Sequence, residues 1–140
     1  MQIHASCAAR GGAGVLLLGP PGSGKSDLLL RLFDHGFSLV ADDRVEIVEG
    51  VAFAPTEIAG LMEVRGLGLV RVPFTERARL ALVVDLGAAE ERLPRPLRHA
   101  PTGLPLVALD ARSPSAPARV RLALACALGH VAQEAGAFAA

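Results

Sequence analysis

The sequence predicts one α/β domain over residues 1–140, with a mixed, strand-rich sheet and a long C-terminal helix. Three observations lead to this prediction. An apolar strand at residues 15–18 runs into a glycine-rich loop and then into a segment with helical periodicity. Further short apolar segments are separated by turn residues, and the last apolar segment again has helical spacing. The length suits one core, and 51% of the residues are apolar, as in a compact globular domain.

The N-terminal segment predicts a hairpin followed by a helix. Residues 3–9 are small and apolar, a Gly11-Gly12 turn follows, and residues 15–18 form the second, buried strand. Beyond the glycine-rich loop, four apolar side chains recur at helical spacing before Gly36, which suits the end of a helix: Leu28, Leu29, Leu32 and Phe33.

A second strand and hairpin follow this helix. Residues 37–41 are apolar and end on two adjacent acids, Asp42 and Asp43. Residues 44–48 and 51–54 flank a glycine turn and predict the next hairpin.

The second half of the chain predicts a loop, two strands and the last helix. Three glycines within residues 58–72 favour an irregular loop between short strands. Residues 79–86 and 104–109 predict strands, and a helix is predicted from near Ser115 to Val131.

The composition excludes several classes of function. The formal net charge is zero, and the chain lacks Trp, Tyr and any basic run with interleaved aromatic residues, so we expect no nucleic-acid binding. The chain has neither a secretory signal nor an uncharged apolar run of about 18 residues, so we expect a cytoplasmic protein without a membrane partner. Cys7 and Cys126 are too far apart in sequence for a C-x-x-C pair and are predicted to be reduced packing residues.

Residues 19–26 match the complete phosphate-loop pattern G-x-x-x-x-G-K-[ST], as Gly19-Pro20-Pro21-Gly22-Ser23-Gly24-Lys25-Ser26. Lys25 is the only lysine, whereas the thirteen other basic residues are arginine, which suggests that this position needs a compact ammonium. In such a loop, backbone N–H groups and the helix dipole hold the phosphates of a nucleoside triphosphate. Lys25 would bridge the β- and γ-phosphates, and Ser26 would offer its hydroxyl to Mg²⁺.

The adjacent acids suit the second half of a phosphoryl-transfer site. An apolar strand that ends in acid is the layout of a Walker-B element, so one of Asp42 and Asp43 can face Mg²⁺ while the other accepts a proton from an incoming hydroxyl. The alternative is a solvated turn, since Asp is common at strand ends. Asp27, just inside the helix, is better explained as a first-turn acid favoured by the dipole than as a ligand.

The absence of two sequence features narrows the possible classes of phosphate-loop protein further. The chain contains no asparagine and no D-x-x-G after the loop, which excludes a switch GTPase. Small-molecule kinases of the adenylate or shikimate type have a similar loop but usually need more chain for a lid, and they remain the alternative.

Four segments together resemble the catalytic domain of the HPr kinase/phosphorylase family. They are His4, the phosphate loop, Leu39-Val40-Ala41-Asp42-Asp43-Arg44-Val45, and Met62-Glu63-Val64-Arg65-Gly66-Leu67-Gly68-Leu69-Val70. The loop is generic, whereas the last two segments in combination are specific to this family. The resemblance is good over residues 3–72 and loose beyond them.

The resemblance implies an ATP- and Mg²⁺-dependent kinase that phosphorylates a serine of HPr, the small phosphocarrier of a phosphotransferase system. By this resemblance Asp43 is the general base, Asp42 is the Walker-B acid near the metal, and Glu63 is a second metal-binding acid. His4 and Lys25 fall on the family's active-site histidine and lysine. From the residues alone, a histidine such as His4 would more often be an ordinary surface or packing residue.

Two arginines complete the expected site. Arg65 lies two residues past Glu63, so in an extended segment both side chains would project to one face, toward the phosphates, where a guanidinium could neutralise developing charge. A further catalytic arginine of the family is best matched by Arg92, with Arg95 as the alternative.

The departures from the family pattern shape the remaining expectations. The family's long form has an additional N-terminal domain, and this sequence is similar to the truncated form that starts at the catalytic domain. A proline- and arginine-rich segment that supports phosphorolysis in the long form is not reproduced, so we expect kinase activity rather than phosphorolysis. Relatives assemble as oligomers, which implies a homo-oligomer. A regulatory nucleotide-binding module without transfer activity is the competing hypothesis.

Overall fold

The computed structural model describes residues 1–139, which form eleven strands and two α-helices. The strands of the first half are β1 (Gln2–Ile3), β2 (Ser6–Arg10), β3 (Ala13–Leu18), β4 (Ser38–Ala41), β5 (Val45–Val48) and β6 (Val51–Phe53). Those of the second half are β7 (Leu61–Val64), β8 (Gly68–Arg71), β9 (Ala78–Asp85), β10 (Leu97–Arg98) and β11 (Pro105–Ala108). Helix α1 spans Lys25–Leu32 and helix α2 spans Ala116–Ala127.

The main sheet is mixed, as the sequence predicts. Its order is β1-β5-β6-β9-β3-β2-β4, with β11 also paired to β9 and β10 paired to β11. Strands β3, β9 and β11 are parallel to one another, and the other pairs are antiparallel. The carboxyl ends of the three parallel strands therefore lie at one edge, where open α/β sheets bind their ligands.

Two extended segments of this sheet, residues 2–10 and 38–48, each contain a short break between two strands. His4 and Ala5 separate β1 from β2, and residues 42–44 separate β4 from β5. Strand β1 pairs with β5 while β2 pairs with β4, so the two interruptions lie side by side. The backbone N–H of Ala5 donates to the Asp43 carbonyl at 3.2 Å across the gap. This arrangement brings His4 close to the acid pair although 38 residues separate them in sequence.

Each face of the sheet carries its own hydrophobic cluster. Both helices pack on one face, where α1 contributes Leu28, Leu29 and Leu32. The other face is covered by the curled strands around β5 and β6. In β9 the usual alternation breaks, because Leu80 belongs to the second cluster and Leu82 to the first. The register between β3 and β9 shifts at this point, as expected for a β-bulge, which reverses the side-chain alternation.

Two sequence-based expectations about elements are wrong. Residues 58–72 are not an irregular loop, because β7 and β8 form a separate two-stranded hairpin. The glycines that favoured a loop lie at its turn and its base: Gly66 has φ 89°, and the Gly60 carbonyl accepts from the Val72 N–H at 2.9 Å. Helix α2 is also shorter than predicted and ends at Ala127, because Gly129 takes a left-handed conformation with φ 78°.

Both cysteines are free, as predicted. Burial raises the pKa of the Cys7 thiol to about 12, despite a backbone hydrogen bond with Val15 that lowers it, so this thiol stays protonated and packs as a small apolar group. Among residues 1–139 there is no helix with the length and apolarity that crossing a bilayer requires.

Candidate functional site

The phosphate loop connects β3 to α1 and has the backbone that its glycines allow. Gly22 and Gly24 have φ values of 83° and 93°, in the left-handed region that favours glycine. Gly24 is the N-cap of α1, so the first turn of the helix opens directly into the loop. A glycine-rich loop that leads into a helix N-terminus is suited to binding phosphate groups.

Lys25 is the first residue of α1 and is only 9% exposed. Its Nζ donates to the carbonyls of Gly19 at 2.5 Å and Pro20 at 3.2 Å. The ammonium therefore lies inside the loop, with its charge held by carbonyl dipoles rather than by a carboxylate. A compact head group suits this position better than a planar guanidinium, in agreement with the sequence-based argument.

Asp42 faces the phosphate loop across the sheet. Its Oδ1 accepts hydrogen bonds from the hydroxyl of Ser26, at 2.9 Å, and from the hydroxyl of Ser6, at 2.8 Å. Ser6 lies on β2, between β3 and β4, and is fully buried. One carboxylate oxygen thus joins the end of β4 to the first turn of α1.

Asp43, the next residue after Asp42, lies beside His4. Its φ is 74°, a left-handed conformation that non-glycine residues seldom adopt but that Asp and Asn tolerate best. Oδ1 of Asp43 lies 3.4 Å from Nδ1 of His4, and both side chains are mostly exposed. Such unusual backbone conformations cluster at functional sites. The two acids therefore have different side-chain partners.

These residues line one cleft of about 980 Å³. Five of the eight loop residues lie on its wall, namely Pro21, Gly22, Gly24, Lys25 and Ser26, whereas Gly19, Pro20 and Ser23 do not. The Ser23 hydroxyl is instead buried, without a hydrogen-bond partner among the described residues. His4, Ser6, Asp42 and Asp43 also line the cleft, so the structure brings the acid pair and the loop together.

The β7–β8 hairpin forms the wall opposite the loop, and both Glu63 and Arg65 line the cleft. The reason given from the sequence for their shared direction is wrong, however. Glu63 lies in β7, but Arg65 lies in the turn after Val64, so the alternation of an extended strand does not apply to the pair. Arg65 reaches the cleft from the turn of the hairpin instead.

The residues of the cleft fit Mg²⁺. Among residues 1–139 there is no group of three or more His, Cys, Asp or Glu side chains close enough to form a metal site made of protein ligands alone. Mg²⁺ usually binds through one or two carboxylates together with substrate phosphates and water. A hydroxyl and a carboxylate in contact, Ser26 and Asp42, with Glu63 in the same cleft, are oxygen ligands of this kind.

Neither candidate for the second arginine is brought to this cleft. Arg92 and Arg95 lie in the loop between β9 and β10, are exposed, and are absent from the cleft wall. Glu90 in the same loop accepts from the Asp110 N–H at 2.9 Å and pairs with Arg119 at 3.1 Å. These contacts hold the loop against α2 and the end of β11, on the other side of the phosphate loop from Asp43.

Sequence reasoning missed two polar residues of the cleft, Ser6 and Arg44. Arg44 directly follows the acid pair and is exposed, so its neighbours in sequence were the available signal. No comparable signal exists for Ser6, because its contact with Asp42 depends on the register between β2 and β4.

Known proteins are similar to this chain in sequence and in fold. The HPr Serine kinase C-terminal domain family matches residues 1–93. The HPr kinase/phosphorylase of Bordetella pertussis is 43% identical over 102 residues, which cover 59% of this chain and 32% of that protein. The HPr kinase/phosphorylase of Lactobacillus delbrueckii is 35% identical over 97 residues, which cover 61% of this chain and 31% of that protein.

The chain thus spans about a third of the length of the curated relatives that it matches. A solved structure, the Hpr(Ser) kinase/phosphatase from Coxiella burnetii, matches with a TM-score of 0.73 and 20% identity, over 93% of this chain and 94% of that chain. It supports the predicted α/β fold. The family match covers more than half of the 140 residues, so the chain belongs to the HPr Serine kinase C-terminal domain family.

Proposed function

We propose that this chain is an ATP- and Mg²⁺-dependent kinase that phosphorylates a serine of an HPr-type phosphocarrier protein. One observation carries the proposal: Asp42 is hydrogen-bonded to Ser26 of the phosphate loop while Asp43 faces the same cleft with a different partner. Family membership supports the type of acceptor, because the relatives are named for their action on HPr.

Each group has a place in the proposed reaction. Lys25 and the loop N–H groups bind the β- and γ-phosphates, and Ser26, Asp42 and Glu63 would hold Mg²⁺, which supplies positive charge against the phosphate oxygens. The serine oxygen forms a bond to the γ-phosphorus, the bond between that phosphorus and the β,γ-bridging oxygen breaks, and ADP leaves. Asp43 accepts the serine proton, and His4 at 3.4 Å orients its carboxylate. Arg65 neutralises charge on the transferred group.

The shape of the cleft favours a protein acceptor over a small metabolite. The β7–β8 hairpin, which lines the cleft, carries Leu67 and Leu69 at 78% and 70% exposure. Two large exposed leucines on one hairpin suit contact with another protein surface. A metabolite kinase would instead need to enclose its acceptor to exclude water. Formation of a homo-oligomer stays a prediction, as does a catalytic role for Arg92.

The proposal is tested by incubating the protein with γ-labelled ATP, Mg²⁺ and HPr. We expect label on HPr, in a linkage that is stable to acid, as a phosphoserine is, and no label on HPr whose acceptor serine is replaced by alanine. Label on histidine, or nucleotide binding without transfer to any acceptor, would contradict the proposal. Transfer to a metabolite but not to HPr would favour a small-molecule kinase, and a nucleotide-dependent complex without transfer would favour a regulatory module.

Replacement of Ser6 by alanine tests the positioning of Asp42. The Ser6→Ala variant removes one of the two hydroxyls that hold Oδ1, so we expect the Mg²⁺ concentration needed for tight nucleotide binding to rise about tenfold. Calorimetric titration of ATP at a series of Mg²⁺ concentrations measures the change. Ser38→Ala is the matched control, because Ser38 hydrogen-bonds Ala9 and Thr75 rather than Asp42. An unchanged Mg²⁺ requirement would show that Ser26 alone is sufficient to orient the carboxylate.

A further inference from the structure

We propose that Arg112 binds the nucleoside half of the nucleotide, with its planar guanidinium packed against the base and ribose. This inference rests on the proposed function and concerns the part of the ligand that the phosphate loop does not hold. The phosphate loop, the acid pair and the β7–β8 hairpin would surround the phosphates and the metal. None of the residues discussed so far has been given a role in binding the base.

The sheet order indicates where the nucleoside extends. The phosphate loop follows β3, and the acid pair that marks the transferred phosphate follows β4, two strands away through β2. On the other side of β3 lie β9 and then β11, both parallel to β3. With the γ-phosphate directed toward Asp43, the rest of the nucleotide extends toward the ends of β9 and β11. Arg112 follows β11.

The segment after β11 packs directly on the phosphate loop. A Cβ placed on Gly24 would lie 3.0 Å from the Cβ of Ala111, so the Ala111 side chain packs closely against the backbone of the loop at Gly24. The guanidinium of Arg112 reaches the loop itself, where Nη2 donates to the Gly22 carbonyl at 3.4 Å. Arg112 therefore borders the loop on the side away from the acids.

The backbone around Arg112 is held in place from several sides. Arg31 of α1 donates to the carbonyls of Ala111 and Ser113. The Asp110 N–H donates to Glu90, and the Asp110 carboxylate accepts from the Arg112 N–H at 2.9 Å. These contacts fix the backbone around Arg112 and do not involve its side chain. A fixed backbone favours ligand binding, because little backbone entropy is lost.

The guanidinium itself has capacity to bind a ligand. It is exposed, and among residues 1–139 no carboxylate lies within 4.0 Å of it. The chain has no Trp or Tyr that could stack on a base, and none of its five Phe residues lines the cleft. A guanidinium is planar and stacks on aromatic faces, and stacking of this kind holds any base because every base has a π-face. The Arg112 contact thus supplies the base platform that the aromatic composition does not.

The test compares the binding of ATP with the binding of tripolyphosphate, which lacks the nucleoside, by calorimetry in the presence of Mg²⁺. In Arg112→Ala we expect ATP affinity to fall about tenfold and tripolyphosphate affinity to stay within about twofold of the wild type. Arg112→Lys should bind ATP nearly as weakly as Arg112→Ala, because an ammonium has no planar face. Arg121→Ala is the control, since Arg121 is exposed on α2 and borders a separate pocket with Arg10.

Each other outcome overturns the inference. If Arg112→Ala loses the same affinity for ATP and for tripolyphosphate, Arg112 contacts the phosphates. If its ATP affinity is unchanged, Arg112 does not contact the nucleotide. Equal affinities of the wild type for both probes would mean that the nucleoside half is not held at all. Wild-type protein that binds neither probe would contradict the proposed function itself, and the role of Arg112 with it.

Discussion

The Asp43→Asn variant is expected to lose about 10³-fold in the rate of phosphoryl transfer to HPr while its affinity for Mg²⁺ and ATP stays unchanged. An amide cannot accept the serine proton, so the loss falls on the chemical step. Asparagine has nearly the same shape as aspartate and tolerates the φ of 74° that this position requires. The substitution therefore removes the base without disturbing the backbone between β4 and β5.

Glu49 provides a matched control for this variant. Within residues 1–139 it is the other non-glycine residue with positive φ, at 50°, and it lies in the exposed β5–β6 turn, outside the cleft. Glu49→Gln makes the same change of acid to amide in a similar backbone, and its transfer rate should equal that of the wild type. Single-turnover labelling of HPr measures the rates. Full transfer activity in Asp43→Asn would show that another group accepts the proton, and weakened ATP binding would assign Asp43 to nucleotide binding instead.

The Lys25→Arg variant is expected to reduce phosphoryl transfer by about 10²-fold or more, although it conserves the charge. The ammonium is almost buried and lies between the Gly19 and Pro20 carbonyls, where a wider, planar guanidinium does not fit without moving the loop. Lys25→Met, which keeps the apolar stem without the charge, should lose at least as much activity. ATP affinity and transfer rate are measured together, and thermal unfolding shows that the variants are folded.

Arg121→Lys serves as the reverse exchange at an exposed position outside the cleft, and it should leave binding and transfer unchanged. If the Lys25→Arg variant keeps wild-type transfer activity, position 25 needs only a positive charge. In that case the presence of a single lysine at this position would carry no functional meaning.

The parts of the site that could be predicted are those that depend on contiguous sequence. The phosphate loop is a backbone conformation imposed by nearby glycines, and the structure gives Gly22 and Gly24 the left-handed φ values that this requires. The helical segment that stops at Gly36, where φ is 80°, and the strand that ends just before Asp42 follow from equally local patterns. Short-range periodicity and turn chemistry were sufficient for these elements.

Sequence reasoning failed where a contact depends on strand pairing or on the position of a turn. The β7–β8 hairpin was predicted as an irregular loop, because its glycines are a turn signal in either structure. Arg65 reaches the cleft through that turn rather than through strand alternation. The match of Arg92 rests on a loosely similar segment, which contacts of Glu90 hold outside the cleft, so a catalytic role for Arg92 stays a prediction.

Local sequence patterns thus specified an α/β domain, a phosphate loop with Lys25 inside it, and an acid pair at the end of a strand. The partners of that acid pair depend on the folded sheet. Ser6 meets Asp42, and His4 meets Asp43, because two interrupted strands pair side by side with a bulge between them. Strand register is set by packing between segments that are distant in sequence, so a periodic pattern within one segment carries no information about which residues will face each other across the sheet.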